Sequence, residues 1–550
     1  MIRRRTAQQE VATIEFLGAL SRGEVRADTR EPYKIARTTR NNGGWRPDSV
    51  SGDTATRESM PLGNARARDL VRNTPQVKKA RGALVDMVIG CGVQAYCDPF
   101  SSGMDLNEST GLFDAQLRYA AESDEWFERW ADDAKQCDVS GKLAWWDMQR
   151  GSFGELPETG DSLLIRCNVR KSGRMIPACF QMIEREQLDT TKDRQAGGGL
   201  NKIVNGIELD DMNREVGFWV FDAHPDDNQY RPAMSRSTWI PAERVIHTFL
   251  PFRPSMNVGF NWFHAMAQTA RDRDWVIGNY LTKVAIDAAA TIIHYTENPE
   301  PLNLDGEDGG VGSDGKPEVK LAQGGMTFQL PKSDKLEMHQ SGNTPPQQLP
   351  AFIDMLDHDA ASAAELSHIA LTGRWEKTSY SSGRGAQLDD ERHCKPLRRF
   401  WGGQAVVPVR QTVNAQMIAT GRIQSMSTRV FNSNPWQYNR FLIVGPGREY
   451  LDPEGESDSA RSKLGAGLST LQIELGKLGL HWVKVLRQIQ MEEHLLKKLG
   501  IHLDFSKGGG QQSGRSAGES RVETRERQNA DTEQQARAII NAAHEMGIVV

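Results

Sequence analysis

The apolar residues of this chain follow two different periods, and the change between them separates helical regions from a β-sheet region. An interval of three to four residues is typical of a helix that buries one face. It is found in six stretches, and a proline divides the first of them at Thr74-Pro75. The helices that this period predicts lie at residues 61–92, 112–156, 261–293, 350–371, 386–425 and 468–499.

An interval of two, typical of strands with one buried face, covers residues 160–250. Asn205-Gly206 lies between two apolar runs there and is the strongest signal for a tight hairpin turn. A further strand is expected at residues 436–443. Together the two periods predict an α+β fold class that is mainly helical, with an antiparallel sheet.

Three segments follow neither period. Residues 1–60 are polar and rich in turn residues, so we expect an arm that is partly disordered. Residues 296–346 are rich in Gly, Asp and Pro and form an insert between two predicted helices, with a strand-like piece at 326–330. Residues 507–535 have almost no apolar content, which predicts a disordered linker. The last stretch, 536–546, has one apolar helical face.

Composition excludes several classes of protein. The 550 residues carry 67 Lys and Arg against 72 Asp and Glu, a net charge of −5. Proteins that bind nucleic acid by neutralising many phosphates are usually basic, so any contact with DNA should be local or weak. The six cysteines match no zinc-site spacing, which predicts reduced thiols. No run of 18 apolar residues is present, so we expect no membrane span.

The sequence contains fragments of catalytic motifs and no complete one. Residues 310–316 match the start of a P-loop, but Pro317 replaces the hydroxyl residue that would bind magnesium. His544-Glu545 begins a zinc-binding H-E-x-x-H motif, which Ile548 interrupts. We therefore predict no catalytic residue, no cofactor, no metal and no enzyme activity.

Two acidic clusters leave one alternative open. Asp210-Asp211 and the run Asp389-Asp390-Glu391 could hold a metal ion, as the carboxylates of nucleases do. That alternative is a metal-dependent DNA-processing enzyme. Charges of this kind more often lie in solvent on turns and helices, which is the interpretation that we favour.

One stretch, residues 372–385, combines cations, aromatic rings and glycines in a predicted loop. Its cations and rings are Arg374, Trp375, Lys377, Tyr380 and Arg384. Its glycines, which lack a Cβ and are expected to leave the backbone mobile, are Gly373, Gly383 and Gly385. Pro396 and Pro408 lie in the helix that follows, so we expect that helix to be kinked or broken.

The same stretch resembles a known family. Residues 378–385, T-S-Y-S-S-G-R-G, resemble the N-Y-S-S-x-R motif of portal proteins from lambda-type tailed phages. Other segments in the family's order are ARDLVRNTP at 67–75, GIELDD at 206–211 and IPAERVIHTF at 240–249. The chain departs from the family's pattern where Ser379 replaces an Asn, where Gly383 and Gly385 replace Ala, and where residues 256–259 replace a more polar turn.

The resemblance implies a portal-protein fold with wing, stem, clip and crown regions that assembles as a ring of twelve subunits. The regions that it implies are an N-terminal arm at 1–60, a wing at 61–260, a stem helix at 261–295, a clip at 296–346, a second stem helix at 347–371, a tunnel loop at 372–385, a tunnel helix at 386–425, a wing return with crown helices at 426–506, and a disordered linker with a terminal helix at 507–550.

The function that the resemblance implies is a DNA channel at a capsid vertex for genome packaging, retention and ejection. The implied partners are double-stranded DNA, the terminase ATPase, head–tail adaptor or tail proteins and capsid protein. The implied location is the virion, after assembly in the host cytoplasm. The tunnel loop is then expected to face DNA, with Arg374, Lys377 and Arg384 meeting phosphates and with Trp375 and Tyr380 as flat contacts or anchors. A non-viral helical scaffold is the remaining alternative.

Overall fold

The computed structural model describes residues 49–99, 112–227, 236–289, 292–296, 327–331, 348–376, 378–447 and 452–501. The helices in these ranges are α1 Gly52–Asn73, α2 Pro75–Val88, α3 Leu112–Asp132, α4 Ala134–Cys137, α5 Trp145–Thr159, α6 Ala267–Ala289, α7 Leu349–Ala363, α8 His368–Thr372, α9 Tyr380–Trp401, α10 Val407–Ala419, α11 Thr428–Ser433, α12 Pro435–Tyr438, α13 Pro453–Gly465, α14 Leu471–Lys477 and α15 Trp482–Leu499. The strands are β1 Gln94–Cys97, β2 Asp161–Asn168, β3 Ala178–Ile183, β4 Lys202–Val204, β5 Ile207–Leu209, β6 Glu215–Phe221, β7 Ser237–Pro241, β8 Val245–Phe249, β9 Ile292–Thr296, β10 Thr327–Pro331 and β11 Phe441–Val444. Among these helices we find none whose length and apolar character would suit a bilayer span.

Several expectations concern residues outside these ranges. They are the arm before residue 49, the P-loop fragment, the H-E-x-x-H fragment, the linker and terminal helix, and most of the insert.

The first helix, α1, begins inside the segment expected to be an arm. Ser51 has an extended backbone, and its hydroxyl accepts a hydrogen bond from the Thr54 amide at 3.2 Å. A serine at this position satisfies an amide that the first turn leaves free, so it caps the helix. The helical region therefore starts at residue 52 and not at 61. The predicted division at Thr74-Pro75 is confirmed, because α1 ends and α2 begins there.

The predicted antiparallel strands form two separate sheets. In one, β2 lies between β3 and β8, and in the other β4, β5, β6 and β7 follow in chain order. Asn205 and Gly206 have φ angles of 53° and 79° and turn the β4–β5 hairpin, as predicted. β1 pairs with β11, but the strand expected at 436–443 begins only at Phe441. The residues before it form the short helix α12, because Pro435 favours the first turn of a helix.

Aromatic side chains fill the main core. The ring centroids of Trp130, Trp145 and Phe180 are 6.1 to 6.3 Å apart, and all three residues are buried. Tilted and edge-to-face pairs at such distances stabilise the fold beyond the area that they bury. Two tryptophans of the stretch 112–156, Trp130 and Trp145, therefore pack in this core. All six cysteines are free, as expected.

The helix expected at 261–293 is shorter than predicted. A 3-10 turn covers Trp262–His264, α6 ends at Ala289, and β9 begins at Ile292. β9 is rich in β-branched and aromatic residues, which favour a strand, and it pairs in parallel with β10. The strand predicted at 326–330 is confirmed by β10.

The helix expected at 350–371 is divided into α7 and α8. Glu365 has a positive φ of 56°, a conformation that interrupts a helix. Ser367 then caps α8, because its hydroxyl accepts a hydrogen bond from the Ala370 amide at 3.1 Å.

A buried ion pair connects α6 and α7. The apolar spacing of α7 places Asp357 on the polar side of that helix, yet the residue is 1% exposed. Its carboxylate lies 2.6 Å from the guanidinium of Arg273. The charge is tolerated inside the protein because it is paired.

The helix with two prolines runs through Pro396 and changes its winding before Pro408. Between α9 and α10, Gly402–Val406 form a π-helical turn, in which the Val407 amide donates to the Gly402 carbonyl five residues earlier. Pro408 has no amide hydrogen, and its ring collides with the preceding turn of an α-helix. The predicted irregularity is therefore present at Pro408, and Pro396 does not end the helix.

The last three helices bury few residues: α13 buries none, and α14 buries Glu474. Thr470 caps α14, and the Ser469 hydroxyl donates to Glu474. The helix expected at 468–499 is interrupted near Gly479, between α14 and α15. α15 has no buried residue.

Candidate functional site

The basic and aromatic stretch at 372–385 consists of a short loop and the first turns of α9. Gly373 ends α8 with a φ of 69°, in the left-handed region that glycine tolerates, and its amide donates to the Ile369 carbonyl. Ser379 starts α9, because its hydroxyl accepts from the Ser382 amide at 3.2 Å. The Ser382 hydroxyl in turn accepts from the Ser379 amide at 2.9 Å. These reciprocal bonds fix the start of the helix.

The loop is therefore shorter than the expected 372–385. Tyr380, Gly383, Arg384 and Gly385 lie on α9 and not in the loop. A helical backbone removes the freedom that a glycine otherwise offers, so Gly383 and Gly385 are not loop hinges. Of the three glycines, only Gly373 occupies a turn that requires a positive φ.

Trp375 lies over the first turns of α9. A Cβ placed on Gly383 would be 3.5 Å from the Trp375 ring and 3.4 Å from the Thr378 methyl group, so the loop and the helix are in close contact. The tryptophan is nevertheless 60% exposed, and Tyr380 is 64% exposed. The loop is thus anchored on α9, and two rings face the outside, that of Trp375 in the loop and that of Tyr380 at the start of α9.

Both described cations of the stretch form ion pairs. Arg374 Nη1 lies 2.9 Å from Asp354 Oδ1, with side chains that are 49% and 36% exposed. Arg384 Nη1 lies 2.7 Å from Glu456 of α13, and this pair is more buried. Exposed ion pairs contribute little stability, so Arg374 can exchange its partner for another anion. Arg384 instead links two helices. Lys377 is outside the described residues.

Asp354 belongs to a group of charges that is already balanced. Asp354, Asp357 and His368 place ligand atoms within 4.8 Å of one another, a spacing that could hold a metal ion. Arg374 and Arg273 pair with the two carboxylates and neutralise them. A divalent cation would add excess positive charge to a partly buried place. We therefore assign the group to the support of the loop.

His368 adds no positive charge to that group at neutral pH. Burial is the largest cause that lowers the pKa of His368, and the neighbouring His358 lowers it further. The two imidazole rings stack with their centroids 3.9 Å apart. The neutral ring leaves Asp354 available to Arg374.

A buried carboxylate fastens α8 to α9 beneath the loop. Asp390 accepts hydrogen bonds from the Ser367 amide and hydroxyl, both at 2.7 Å. The neighbouring carboxylates point elsewhere, since Asp389 is exposed and Glu391 accepts two bonds from Arg398. The three carboxylates of the run Asp389-Asp390-Glu391 thus point to three different places and do not converge on one metal site. A serine directly before an apolar run is a sequence signal for a helix N-cap, and this signal could have predicted the role of Ser367.

A cleft of about 500 Å³ opens beside the loop. Trp375 lies at its edge, and Met87 of α2 and Cys394 of α9 line it. Because the ring borders this open space, it has no protein packing on that side.

Two other carboxylate groups among the described residues have their charges engaged within the chain. Asp210 accepts bonds from the Met212 and Arg214 amides in a tight turn, and the Arg214 bond is the largest cause that lowers its pKa. A second group, Glu184, Glu186 and His224, has ligand atoms within 4.8 Å. Its charges are also paired, because Glu186 binds an arginine of α1 and His224 binds Glu184.

Comparison with protein families gives a match over most of the chain. The family described as phage portal protein, lambda family, matches residues 38–398, about two thirds of the sequence. Among solved structures, the virion of a native gene transfer agent particle aligns with a TM-score of 0.34 at 13% identity, over 79% of this chain and 97% of that one. The neck of a native particle of this kind, computed with C12 symmetry, aligns with a TM-score of 0.33 at 12% identity, over 78% and 94%.

Individual relatives are portal proteins of phages. A probable portal protein of Halomonas phage phiHAP-1 is 24% identical over 86% of this chain and 88% of its own length. The portal protein of Escherichia phage N15 is 22% identical over 84% and 89%, and portal protein B of Escherichia phage lambda is 22% identical over 81% and 85%. The chain belongs to the lambda family of phage portal proteins, and its function is that of a phage portal protein.

Proposed function

We propose that twelve copies of this chain form a ring whose central channel conducts double-stranded DNA at a capsid vertex. Membership of the portal family supports the ring, the channel and the virion location. Within the proposed regions, α6 and α7 are the stem helices and the insert between them is the clip. The wing contains the two antiparallel sheets, and the crown contains α13 to α15.

The loop between α8 and α9 is the proposed contact with DNA. The observation that supports it is the exposure of Trp375 and Tyr380 beside Arg374, which is held by one partly exposed carboxylate. We assign Arg374 and Lys377 to phosphate contacts. Arg384 is assigned to fixing α9 against α13, because its guanidinium is paired with Glu456.

A channel must release the DNA that it touches. A phosphate can replace Asp354 as the partner of Arg374 and be replaced in turn, because an exposed ion pair is worth at most about 1 kcal/mol. The net charge of −5 also favours release, since a negative protein surface repels the DNA phosphates.

We further propose that the clip binds the terminase ATPase during packaging and later the head–tail adaptor or tail proteins, and that the wing contacts capsid protein. Assembly would take place in the host cytoplasm. In this scheme the chain has no catalytic step of its own. Assays for ATP hydrolysis and for magnesium-dependent cleavage of DNA should both be negative with the purified ring, and activity in either would contradict the proposal.

The loop assignment is tested with the double variant R374A/K377A in the full chain. We expect it to form rings and to package or retain less DNA than the wild type. The matched control is R384A, which removes one cation from the same stretch and should weaken the link to α13. The assignment is wrong if the double variant packages and retains DNA like the wild type, or if it forms no rings.

A further inference from the structure

Three cations form a stripe along the outer side of α9. Arg392, Lys395 and Arg399 follow one another at intervals of three and four residues, which places them on one face of a helix. All three are exposed. The opposite side of the helix carries the buried residues Cys394 and Leu397. We call these three residues the α9 stripe.

Of these three charges, only Arg392 takes part in an ion pair among the described residues, and that pair is exposed. Arg398, on another side of α9, is held by Glu391 at 2.6 Å. The carboxylate next to Arg392 is Asp389 at 3.5 Å, and with side chains 82% and 74% exposed this pair contributes little. In the part of the chain that the structure describes, the side chains of Lys395 and Arg399 form no hydrogen bond or ion pair.

The helix dipole does not account for the stripe. Cations stabilise a helix end where carbonyl groups lack hydrogen-bond partners. The helix does not end after Arg399, because the π-helical turn and α10 continue it. Like charges at intervals of three and four residues also repel one another. The stripe is therefore unfavourable for the isolated chain, and an anion from outside would offset that cost.

We propose that the α9 stripe binds the phosphates of one strand of duplex DNA. This inference rests on the proposed function, because it extends the DNA contact from the loop along α9. Seven residues of helix rise by about 10 Å. A strand of duplex DNA carries one phosphate per about 3.4 Å of axis, so the stripe spans about three successive phosphates.

A second copy of the chain would fit the stripe less well. Three cations in register would need three exposed carboxylates at the same intervals. Among the described helices, α3 has carboxylates at these intervals, Glu125, Glu128 and Asp132, but each already has a partner within its own chain: Arg129, Lys484 and Trp146, respectively. A phosphate backbone supplies regularly spaced anions on any sequence.

The stripe is tested by measuring the affinity of the full-length ring for duplex DNA, by fluorescence anisotropy at several salt concentrations. The variant is R392Q/K395Q/R399Q, in which glutamine keeps the helix propensity and removes the charge. We expect the slope of log affinity against log salt to fall by about 0.9 for each phosphate that the variant no longer neutralises. The control variant R487Q/K497Q/K498Q removes three exposed cations from α15 and should keep the wild-type slope.

The possible outcomes separate this inference from the proposed function. If the stripe variant keeps the wild-type salt slope while R374A/K377A lowers it, the α9 stripe does not bind DNA, and the assignment of the loop still holds. An equal fall in the α15 control shows an effect of net charge alone and also overturns it. Wild-type rings that bind no DNA overturn both.

A second measurement identifies the partner of the stripe directly. Leu388 is 44% exposed and lies four residues before Arg392 on the same face of α9. A photo-crosslinking residue at position 388 should form its adduct with duplex DNA in the assembled ring. An adduct with another copy of the chain would make the stripe a contact between subunits and overturn the proposal.

Discussion

Arginine side chains of this protein differ in how firmly they are held, and the difference follows from the number of their hydrogen-bond and ion-pair partners. Arg410 of α10 is 1% exposed and donates to Asp124 at 2.8 Å, to the Ser123 hydroxyl at 2.9 Å and to the Ala95 carbonyl at 3.1 Å. Its guanidinium also lies 4.4 Å from the ring centroid of Phe127. Arg410, with its several partners, thus fixes α10 in the core. Arg374 has one partly exposed partner, Asp354, and can exchange that carboxylate for another anion.

The first prediction concerns Arg410. R410M should lower the free energy of unfolding by about 3–5 kcal/mol, because it leaves the carboxylate of Asp124 buried without its cation. Burial already raises the pKa of Asp124 to about 6 with Arg410 present. Denaturant unfolding of the purified chain measures the effect, and K498M, on the exposed side of α15, is the control. A loss below about 1 kcal/mol would contradict the assigned role.

The second prediction concerns the pH dependence caused by His247. Burial opposes the charged form of this ring, but hydrogen bonds to Asp161 at 3.0 Å and Glu215 at 2.6 Å outweigh it and raise the pKa of His247 from 6.5 to about 9. A group whose pKa is raised by folding stabilises the fold fully below its unfolded value. That contribution, at most about 3 kcal/mol, is lost as the pH rises through 9.

Unfolding free energies of the wild type and of H247Q, measured from pH 6 to pH 10, test this prediction. The difference between the two proteins should be largest at pH 6 and should shrink towards pH 10. A difference that does not change with pH would show that the ring is neutral in the folded protein.

At the scale of elements, the apolar period predicts helices and hairpins better than it predicts their ends. The Asn205-Gly206 hairpin follows from two residues alone, because few other pairs adopt its positive φ angles. The ends of helices depend on polar contacts such as those of Ser51 and Ser379. The burial of Asp357 could not be predicted from its own helix, because its partner Arg273 is 84 positions away in the chain.

The third prediction concerns the start of α9. S379A removes the hydroxyl that accepts from the Ser382 amide and leaves the bond from the residue 379 amide to the Ser382 hydroxyl, so the first turn should be less stable by about 1 kcal/mol. Hydrogen exchange of the amides of residues 380–385 should become about fivefold faster, while exchange in the middle of α9 stays unchanged. Unchanged exchange in the first turn would mean that contacts other than the cap hold it.

The fourth prediction concerns Gly385, which stands where the family usually has Ala. The residue is helical and exposed, and no atom lies within 4 Å of the position that a Cβ would take. G385A should therefore raise the free energy of unfolding by up to about 1 kcal/mol, because alanine favours the helix. Denaturant unfolding measures it. A destabilised variant would show that the glycine is needed for a close approach by another group.

At the scale of the whole molecule, a helical core fixes one end of the long α9–α10 helix and leaves the loop at its other end exposed. The order of short motifs along the sequence predicts the family, because several weak matches in register are improbable by chance. The contacts of the loop are less predictable. Three cations within eleven residues look equivalent in the sequence, yet Arg384 is paired with a helix about 70 residues later in the chain.

Cryo-electron microscopy of the purified full-length protein tests the central claim most directly. The account predicts closed rings with a central channel, whose narrowest part is lined by residues 374–380 of each copy, with Trp375 and Tyr380 facing the channel. Particles that remain monomeric at high concentration would contradict it. Rings with this loop on their outer surface would contradict it as well.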